Sequence, residues 1–534
     1  MTVRRWAQAK AIAPQQFRAA VRASLKIGLS LLLDALRREF PDAVDIKAGT
    51  GGYCLTIGKG PIIEALLTGS PLFPPMLLAS FPTVDASTRQ LDRPIAAIRI
   101  VTAALASTGA DLALGPMQEL FLNSIANLTL NRLIGQAGLP DAAPEPAWQG
   151  HGYFPFPALR CGPSADDVSQ FCNLVEPEDR VLFAHCEGLI RHTSSESMPA
   201  SWDEEWSPGQ RMPPDAIPLH PWTLKRSRTI RDLIEGGWLR VTPYSLIAQP
   251  LASQRTCRIP DGGYDVKLAL DATLTGERRL LYGNNTANAP IVSAIAERAL
   301  DYLAARLNFQ TDIASFSHVV PGVSPFLSCI VRSPPRVADG ESLHPAIDLW
   351  TGRCRAASVF DIDGRDAAEE LMAKYALALL AGPVLAWANY GFGFEPHIQN
   401  VSIRVRGRMP FGITLRDLDA TIIDPARLPP DLLSGTAGLS ENAWRAMPTP
   451  QLGNWRLAHA LNIGHLAMVA NALHRQFGAR YTQLDDAVQS AWAAVEAMGT
   501  MSDRASISGV RNATSRVKRS LSMTVTGSTA MQFS

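Results

Sequence analysis

The sequence predicts an α+β chain of several domains, in which antiparallel sheets are flanked by helices. Three observations predict it. Residues 395–420 (EPHIQNVSIRVRGRMPFGITLRDLDA) read as a β-hairpin: Val401, Ile403 and Val405 alternate with Ser402, Arg404 and Arg406. Arg406-Gly407-Arg408 and Pro410 mark its turn. Long stretches with helical apolar spacing stand at 1–45, 111–138, 366–391, 454–476 and 484–498. Between them, residues 178–283 break into short runs divided by Gly, Pro and Asp. A chain of 534 residues suggests about three domains.

Composition narrows the function. The chain is 46% hydrophobic and 19% charged, enough apolar content for more than one core. A net charge of +1 gives no electrostatic footprint for nucleic acid or an anionic membrane. The seven cysteines are scattered, odd in number and without a C-x-x-C pair. That favours reduced thiols in a cytoplasmic protein over a disulfide framework or a zinc site. The first residues, MTVRRWAQAKAIAPQQ, lack a sustained apolar run and make a poor signal peptide. The most apolar segment, 375–392, is broken by Pro383 and Asn389 and reads as a buried helix rather than a membrane span.

Taken in order, residues 1–45 are helical, with Phe17, Val21, Leu25, Leu29 and Leu32 on one stripe. Gly49-Thr50-Gly51-Gly52 and Gly58-Lys59-Gly60 do not fit the spacing of a phosphate loop and read as turns between short strands. A helix at 111–138 is followed by a Pro-rich link at 140–146 and an aromatic, irregular loop at 149–162 (QGHGYFPFPALRCG). Strands at 178–222 enclose a polar surface insertion, 192–213, and end in IPLHPW, where His220 reads as a packed histidine. Residues 225–236 and 291–307 read as helices, and 316–333 as strand and turn. His459, His465 and His474 lack i, i+4 spacing and read as structural. The Ser- and Thr-rich final 30 residues read as loosely ordered.

Two stretches carry chemistry. In 241–283, Ser253, Arg255 and Thr256 precede a turn at 260–263. Lys267 then stands opposite Val266 and Leu268 on a strand, and Arg279 opens the next element after the Thr275-Gly276 turn. Hydroxyls, bidentate guanidinium groups and an ammonium on adjacent strands suit a polyphosphate. The same pattern also suits the solvated face of an amphipathic sheet. In the hairpin, pairing the arms brings Arg416-Asp417 toward His397 and Asn400. Glu395, Asn400 and Asp417 are oxygen donors of the kind Mg²⁺ prefers, and His397 and Arg416 could face an anion. An ordinary hairpin with charged ends fits equally. A nucleotide between the two blocks is the natural inference.

These motifs resemble the NRPS-independent siderophore synthetases, the IucA/IucC (aerobactin synthetase) family. The match runs through Ser253-x-Arg255-Thr256, Lys267, Arg279, E-x-H-x-Q-N at 395–400 and Arg416-Asp417, with IPLHPW resembling the family's PVHPWQ element. It covers roughly residues 110–475. The resemblance implies a cupped-hand fold: a thumb at 1–125, fingers at 126–362, a palm at 363–500 and a tail at 501–534. It implies an enzyme that adenylates a carboxylate of citrate or a citrate derivative with ATP and Mg²⁺. An amine or alcohol then attacks the adenylate, and AMP and pyrophosphate leave. It further implies that Ser253, Arg255, Thr256, Lys267, Glu395, Asn400 and Asp417 bind ATP, with the last three placing the metal. Lys267, Arg279 and His397 would be catalytic, and Arg279, His397, His151 and Arg160 would face the carboxylate. A homodimer is the family's habit. One departure stands out. Where the family has a G-H-P-x-H-P-x-x-K-like loop, this chain has Phe154 in place of the second His and Ala158 in place of the Lys. That departure bears on the substrate and suggests a smaller or more apolar second substrate.

Two other classes compete. A kinase-like phosphotransferase would use the glycine turn before Lys267, but 416–419 is no D-F-G and the catalytic-loop Asp is absent. A non-catalytic, nucleotide-binding member draws on the altered 150–160 loop alone.

Overall fold

The computed structural model describes residues 2–50, 52–85, 90–110, 113–136, 151–171, 181–193, 216–259, 264–351, 355–418, 421–434, 450–513 and the single positions 521, 523 and 525. The Pro-rich link at 140–146, most of the polar insertion and the turn at 260–263 lie outside the described residues.

Among the described residues the three largest hydrophobic cores organise the fold. In the first, the helix Pro14–Glu39 buries Leu25, Leu29, Leu32 and Leu36 against Leu55, Ile57 and Ile63 of an antiparallel sheet. The expected glycine turns are there: Gly49 pairs with Gly52, and Ile57 pairs with Ile63. The helix Leu114–Gln136 packs on this core through Met117, Phe121 and Ile125. A thumb ending at residue 125 would cut that helix in half, so the first unit extends through it. Phe154, Phe156 and Leu159 join the same core.

The second core lies under an antiparallel sheet whose strands run in the order Gln249–Pro250, Thr256–Arg258, Asp265–Leu268, Ser328–Arg332, Asp312–His318 and Leu189–Thr193. All four residues of Asp265–Leu268 are buried, so the face carrying Lys267 is not a solvated one. The adjoining helix runs Gly283–Ala299, earlier than the expected 291–307, and continues through Pro290. Proline offers no N–H to the carbonyl four residues back. Here that carbonyl, on Thr286, accepts the Ser315 hydroxyl at 2.6 Å, so the helix passes the proline without an orphaned acceptor.

The third core surrounds the helix Arg365–Tyr390. This helix is long and apolar enough to cross a bilayer, but 83% of its most apolar window is buried in the protein, as its internal Pro383 suggested. Against it lies the hairpin Val401–Arg406 and Met409–Leu415, with Val401, Ile403, Ile413 and Leu415 buried. Each such side chain contributes about 1.5–3 kcal/mol when fully buried. Gly407 and Arg408 both have positive φ (52° and 70°), the backbone of a two-residue hairpin turn whose twist matches its strands. Arg404 is not on a solvated face as its position in the alternation implied. It is buried on the Glu341 carboxylate and the Ala304 carbonyl.

Two further boundaries move. The strand Glu341–Pro345 pairs with Val401–Arg406, and Trp350 and Phe360 pack around Tyr375. Residues 341–362 therefore belong with the third core rather than with the fingers. The final segment is also anchored where described. The helix Arg504–Asn512 buries Ile507 and Val510 in the third core. Leu521 is buried in the first core and donates its N–H to Glu39 at 2.8 Å.

Candidate active site

The site forms where the second and third cores meet. Thr256 and Lys267 face each other across adjacent strands. Lys267 is 2% exposed, and its Nζ donates to Asp417 Oδ1 at 2.8 Å, across 150 residues of sequence. The same oxygen accepts Arg332 Nη2 at 2.8 Å, while Arg332 Nε donates to Asp312 at 2.7 Å. Burial disfavours the ionised Asp417. Lys267, Arg332 and Arg255 outweigh that and hold it well below the usual carboxylate range. Asp417 itself has φ +70°, left-handed backbone just past the strand end. Asp tolerates that region better than most residues, and strained backbone of this kind clusters at functional sites.

Arg255 donates toward the carbonyls of Arg279 and Leu280 at 3.4 and 3.3 Å. Arg279 is held by the Leu274 carbonyl and the Thr275 hydroxyl. Burial, followed by the like charge of Arg255, pushes Arg279 down to about 10, while Glu277, Asp417 and Glu395 oppose the fall. Two guanidinium groups that repel one another in a protein interior are stabilised by an anion beside both. Ser253 Oγ accepts the Thr256 N–H at 3.0 Å and so closes the turn that presents Arg255.

On the palm side, Glu395 accepts both Nε and Nη2 of Arg456 at 2.9 Å. Asn400 is buried, and its amide nitrogen reaches the Glu395 carbonyl at 3.4 Å. Arg416 donates Nε and Nη2 to the Gln399 carbonyl at 3.0 and 2.5 Å, which ties down the loop carrying His397. Among the described residues no group of three or more His, Cys, Asp or Glu side chains forms a metal cage. Both bonds to Asp417 land on Oδ1, which leaves Oδ2 for a further partner. The donors therefore suit Mg²⁺ arriving with phosphates, since that ion takes one or two protein carboxylates together with phosphate oxygens.

The structure thus joins Lys267 to Asp417 and brings Arg255, Arg279 and Glu395 into range of them. The two remaining carboxylate-facing candidates have these partners. Arg160 is 5% exposed and bonds Gln254 Oε1 at 3.1 Å and Asn131 Oδ1 at 2.9 Å. It braces the fingers motif against the helix Leu114–Gln136. His151 Nδ1 accepts the backbone N–H of Phe154 at 3.2 Å and so shapes its own loop. His220 is structural, as its setting suggested. Nδ1 caps the helix Pro221–Arg226 by accepting Trp222 N–H at 3.1 Å, so Nε2 carries the proton donated to the Gln254 carbonyl at 3.1 Å. Sequence reasoning missed Arg332, Asp312 and Arg456. The one available signal was an arginine closing an otherwise apolar strand, SCIVR.

Known proteins share parts of this sequence and its fold. The model of the IucA / IucC family matches residues 143–350, the stretch that carries the phosphate motif. Over those residues the chain is similar to this family, that of the NRPS-independent siderophore synthetases. A second family model, described as ferric iron reductase FhuF-like transporter, matches residues 370–495. Staphyloferrin A synthase of Staphylococcus aureus is 23% identical over 224 residues, which is 39% of this chain and 38% of that relative's length. Solved structures share the fold. ATP-bound aerobactin synthetase IucA of Klebsiella pneumoniae aligns with TM-score 0.75 at 13% identity, over 95% of this chain and 98% of that one. Petrobactin biosynthesis protein AsbB of Bacillus anthracis aligns with TM-score 0.73 at 13% identity, over 95% and 93%. Aerobactin synthetase IucC of Klebsiella pneumoniae aligns with TM-score 0.67 at 15% identity, over 93% and 94%.

Proposed function

We propose that this chain is an ATP-dependent ligase of siderophore biosynthesis that adenylates a carboxylate of citrate or a citrate derivative. An amine or alcohol then displaces AMP. The observation that carries this reading is the buried Lys267–Asp417–Arg332 contact, with Arg255 and Arg279 beside it. Counting Arg255, Lys267, Arg279, Arg332 and Arg456 against Glu277, Asp312, Glu395 and Asp417, the centre holds one more positive than negative charge, which favours an anionic substrate. The ATP named with the Klebsiella relative supports the choice of nucleotide.

In this reading Arg255 and Lys267 bind the phosphates, and Thr256 and Ser253 shape the turn that presents them. Attack by a carboxylate oxygen on the α-phosphorus forms the acyl–phosphate bond and expels pyrophosphate. Lys267 and Arg255 stabilise the charge that develops on the α-phosphate oxygens. Arg279 and His397 orient the carboxylate, and holding the reactants together removes much of the entropic barrier. Asp417 and Glu395 are the carboxylates that would hold Mg²⁺, which lowers repulsion between the two anions. The work is that of a cytoplasmic enzyme, and a homodimer is proposed by analogy with the family.

Exchange of labelled pyrophosphate into ATP tests the adenylation half-reaction. Exchange that requires citrate or another polyacid is the expected outcome. ATP binding without exchange under any acid would favour a non-catalytic nucleotide-binding role.

A further inference from the structure

The loop carrying Glu395 and His397 is gripped by a turn whose backbone departs from the α-helix. Residues His459–Leu466 form a π-helical stretch between the α-helices Pro450–Ala458 and Ala467–Phe477. Such insertions are rare and concentrate at functional sites. In an α-helix the Gly464 carbonyl would accept the N–H four residues on. Here it accepts the Ile398 N–H at 3.0 Å. The next residue, His465, is fully buried and holds the other side of the loop: Nδ1 lies 3.0 Å from the Pro396 carbonyl and Nε2 2.7 Å from the Tyr375 hydroxyl. A carbonyl only accepts, so Nδ1 carries the proton and Nε2 accepts from Tyr375. Burial favours this neutral form. The residues on either side of His397 are therefore fixed by adjacent residues of one turn. Gly464 also lies against His397 itself, since a Cβ there would stand 3.0 Å from the His397 Cβ.

We infer that Gly464 and His465 are positioning residues that set the placement of His397 through the π turn. Tyr375, on the central helix Arg365–Tyr390, fixes the tautomer of His465. None of the three touches substrate. The inference rests on the reading that His397 faces the carboxylate, but its geometric part stands apart from that reading.

The experiment uses the full chain carrying Gly464→Ala, His465→Asn or His465→Leu. The Asn amide keeps a donor near the position of Nδ1, whereas Leu removes it. Gly464→Ala is expected to lower kcat about 10- to 100-fold, the scale of a small misplacement of a catalytic group, with ATP affinity unchanged. His465→Leu is expected to fall similarly and His465→Asn to recover most of the loss. In a His397→Ala background Gly464→Ala should add little, as for groups that act as one unit. The imidazole resonances of His397, followed by NMR at one pH, should shift in Gly464→Ala and in His465→Leu. This readout needs no turnover, so it separates failure of this inference from failure of the adenylation reading. An unchanged His397 signal in a folded Gly464→Ala and a folded His465→Leu would overturn the inference. So would a loss of ATP affinity equal to the loss of kcat, or full additivity with His397→Ala.

Discussion

Two regions of the molecule are built in opposite ways. At Lys267–Asp417–Arg332, charged side chains from separate cores interlock at 2.8 Å, with Lys267 and Arg332 buried and Asp417 half-buried between them. Such an arrangement is costly unless every charge finds a partner. At 151–158 the positions where the family carries polar groups hold Phe154 and Ala158, and Phe154 packs edge-on to Phe156 in the first core. What remains polar there is directed inward: Tyr153 accepts from Arg38 at 2.5 Å and meets the edge of His459. The comparison teaches that the Lys267–Asp417 region keeps its charges, while the 151–158 loop is part of the packing.

The largest expected effect would break the charged half. Asp417→Ala leaves Lys267 and Arg332 without their shared partner, so pyrophosphate release should fall more than about 100-fold. Chemical denaturation should show a loss of about 3 kcal/mol. Lys267→Met should abolish turnover to a similar degree. Lys267→Arg should not restore it, because a planar guanidinium does not fit an ammonium's place between strands.

The loop half should respond differently. Phe154→His puts a polar ring into an apolar core, and a lowered melting temperature is expected, corresponding to about 1–3 kcal/mol. Acid-dependent adenylation should persist in that variant at temperatures where it is folded. A changed preference among amine and alcohol nucleophiles would show that Phe154 also shapes the second substrate's pocket. No change would leave it a packing residue.

A smaller effect concerns pH. Burial pushes His220 down to about 4, partly opposed by its bond to the Gln254 carbonyl. Its unfolded value is about 6.5. The unfolded chain therefore binds the proton more readily, and stability present above about pH 6.5 is lost as pH falls toward 4. Equilibrium denaturation across that range should show the loss. His220→Asn, which keeps a capping side chain, should flatten the slope. Asp417 adds to the decline at lower pH, because its depressed folded value gives stability that is present above about 3.9 and lost as pH falls through that folded value.

Much of this was legible from residues. The period-2 alternation at 401–406 and the Arg406-Gly407-Arg408 turn gave the hairpin, and Phe17 to Leu32 gave the helix Pro14–Glu39. The sequence pattern also paired the two chemical stretches, although nothing in spacing alone said that Lys267 would touch Asp417. Arg332 was illegible because a strand's terminal arginine reads as solvated unless its partners, here Asp312 and Asp417, are known to lie beneath it. Arg404 misled for the same reason, since Glu341 arrives from a distant strand. The π turn escaped because ALNIGHL keeps an apolar helical pattern, and one extra residue per turn leaves no mark in composition. Pro290 shifted a helix start, since the Ser315 hydroxyl that satisfies Thr286 comes from elsewhere in the chain.

The central claim is tested most directly by the products formed from Mg²⁺-ATP with citrate and hydroxylamine, with citrate omitted as the control and Lys267→Met alongside. The account predicts citrate-dependent AMP, pyrophosphate and a hydroxamate, all missing from the variant. Citrate-dependent ADP and phosphate would contradict it and make this cleft a phosphotransferase.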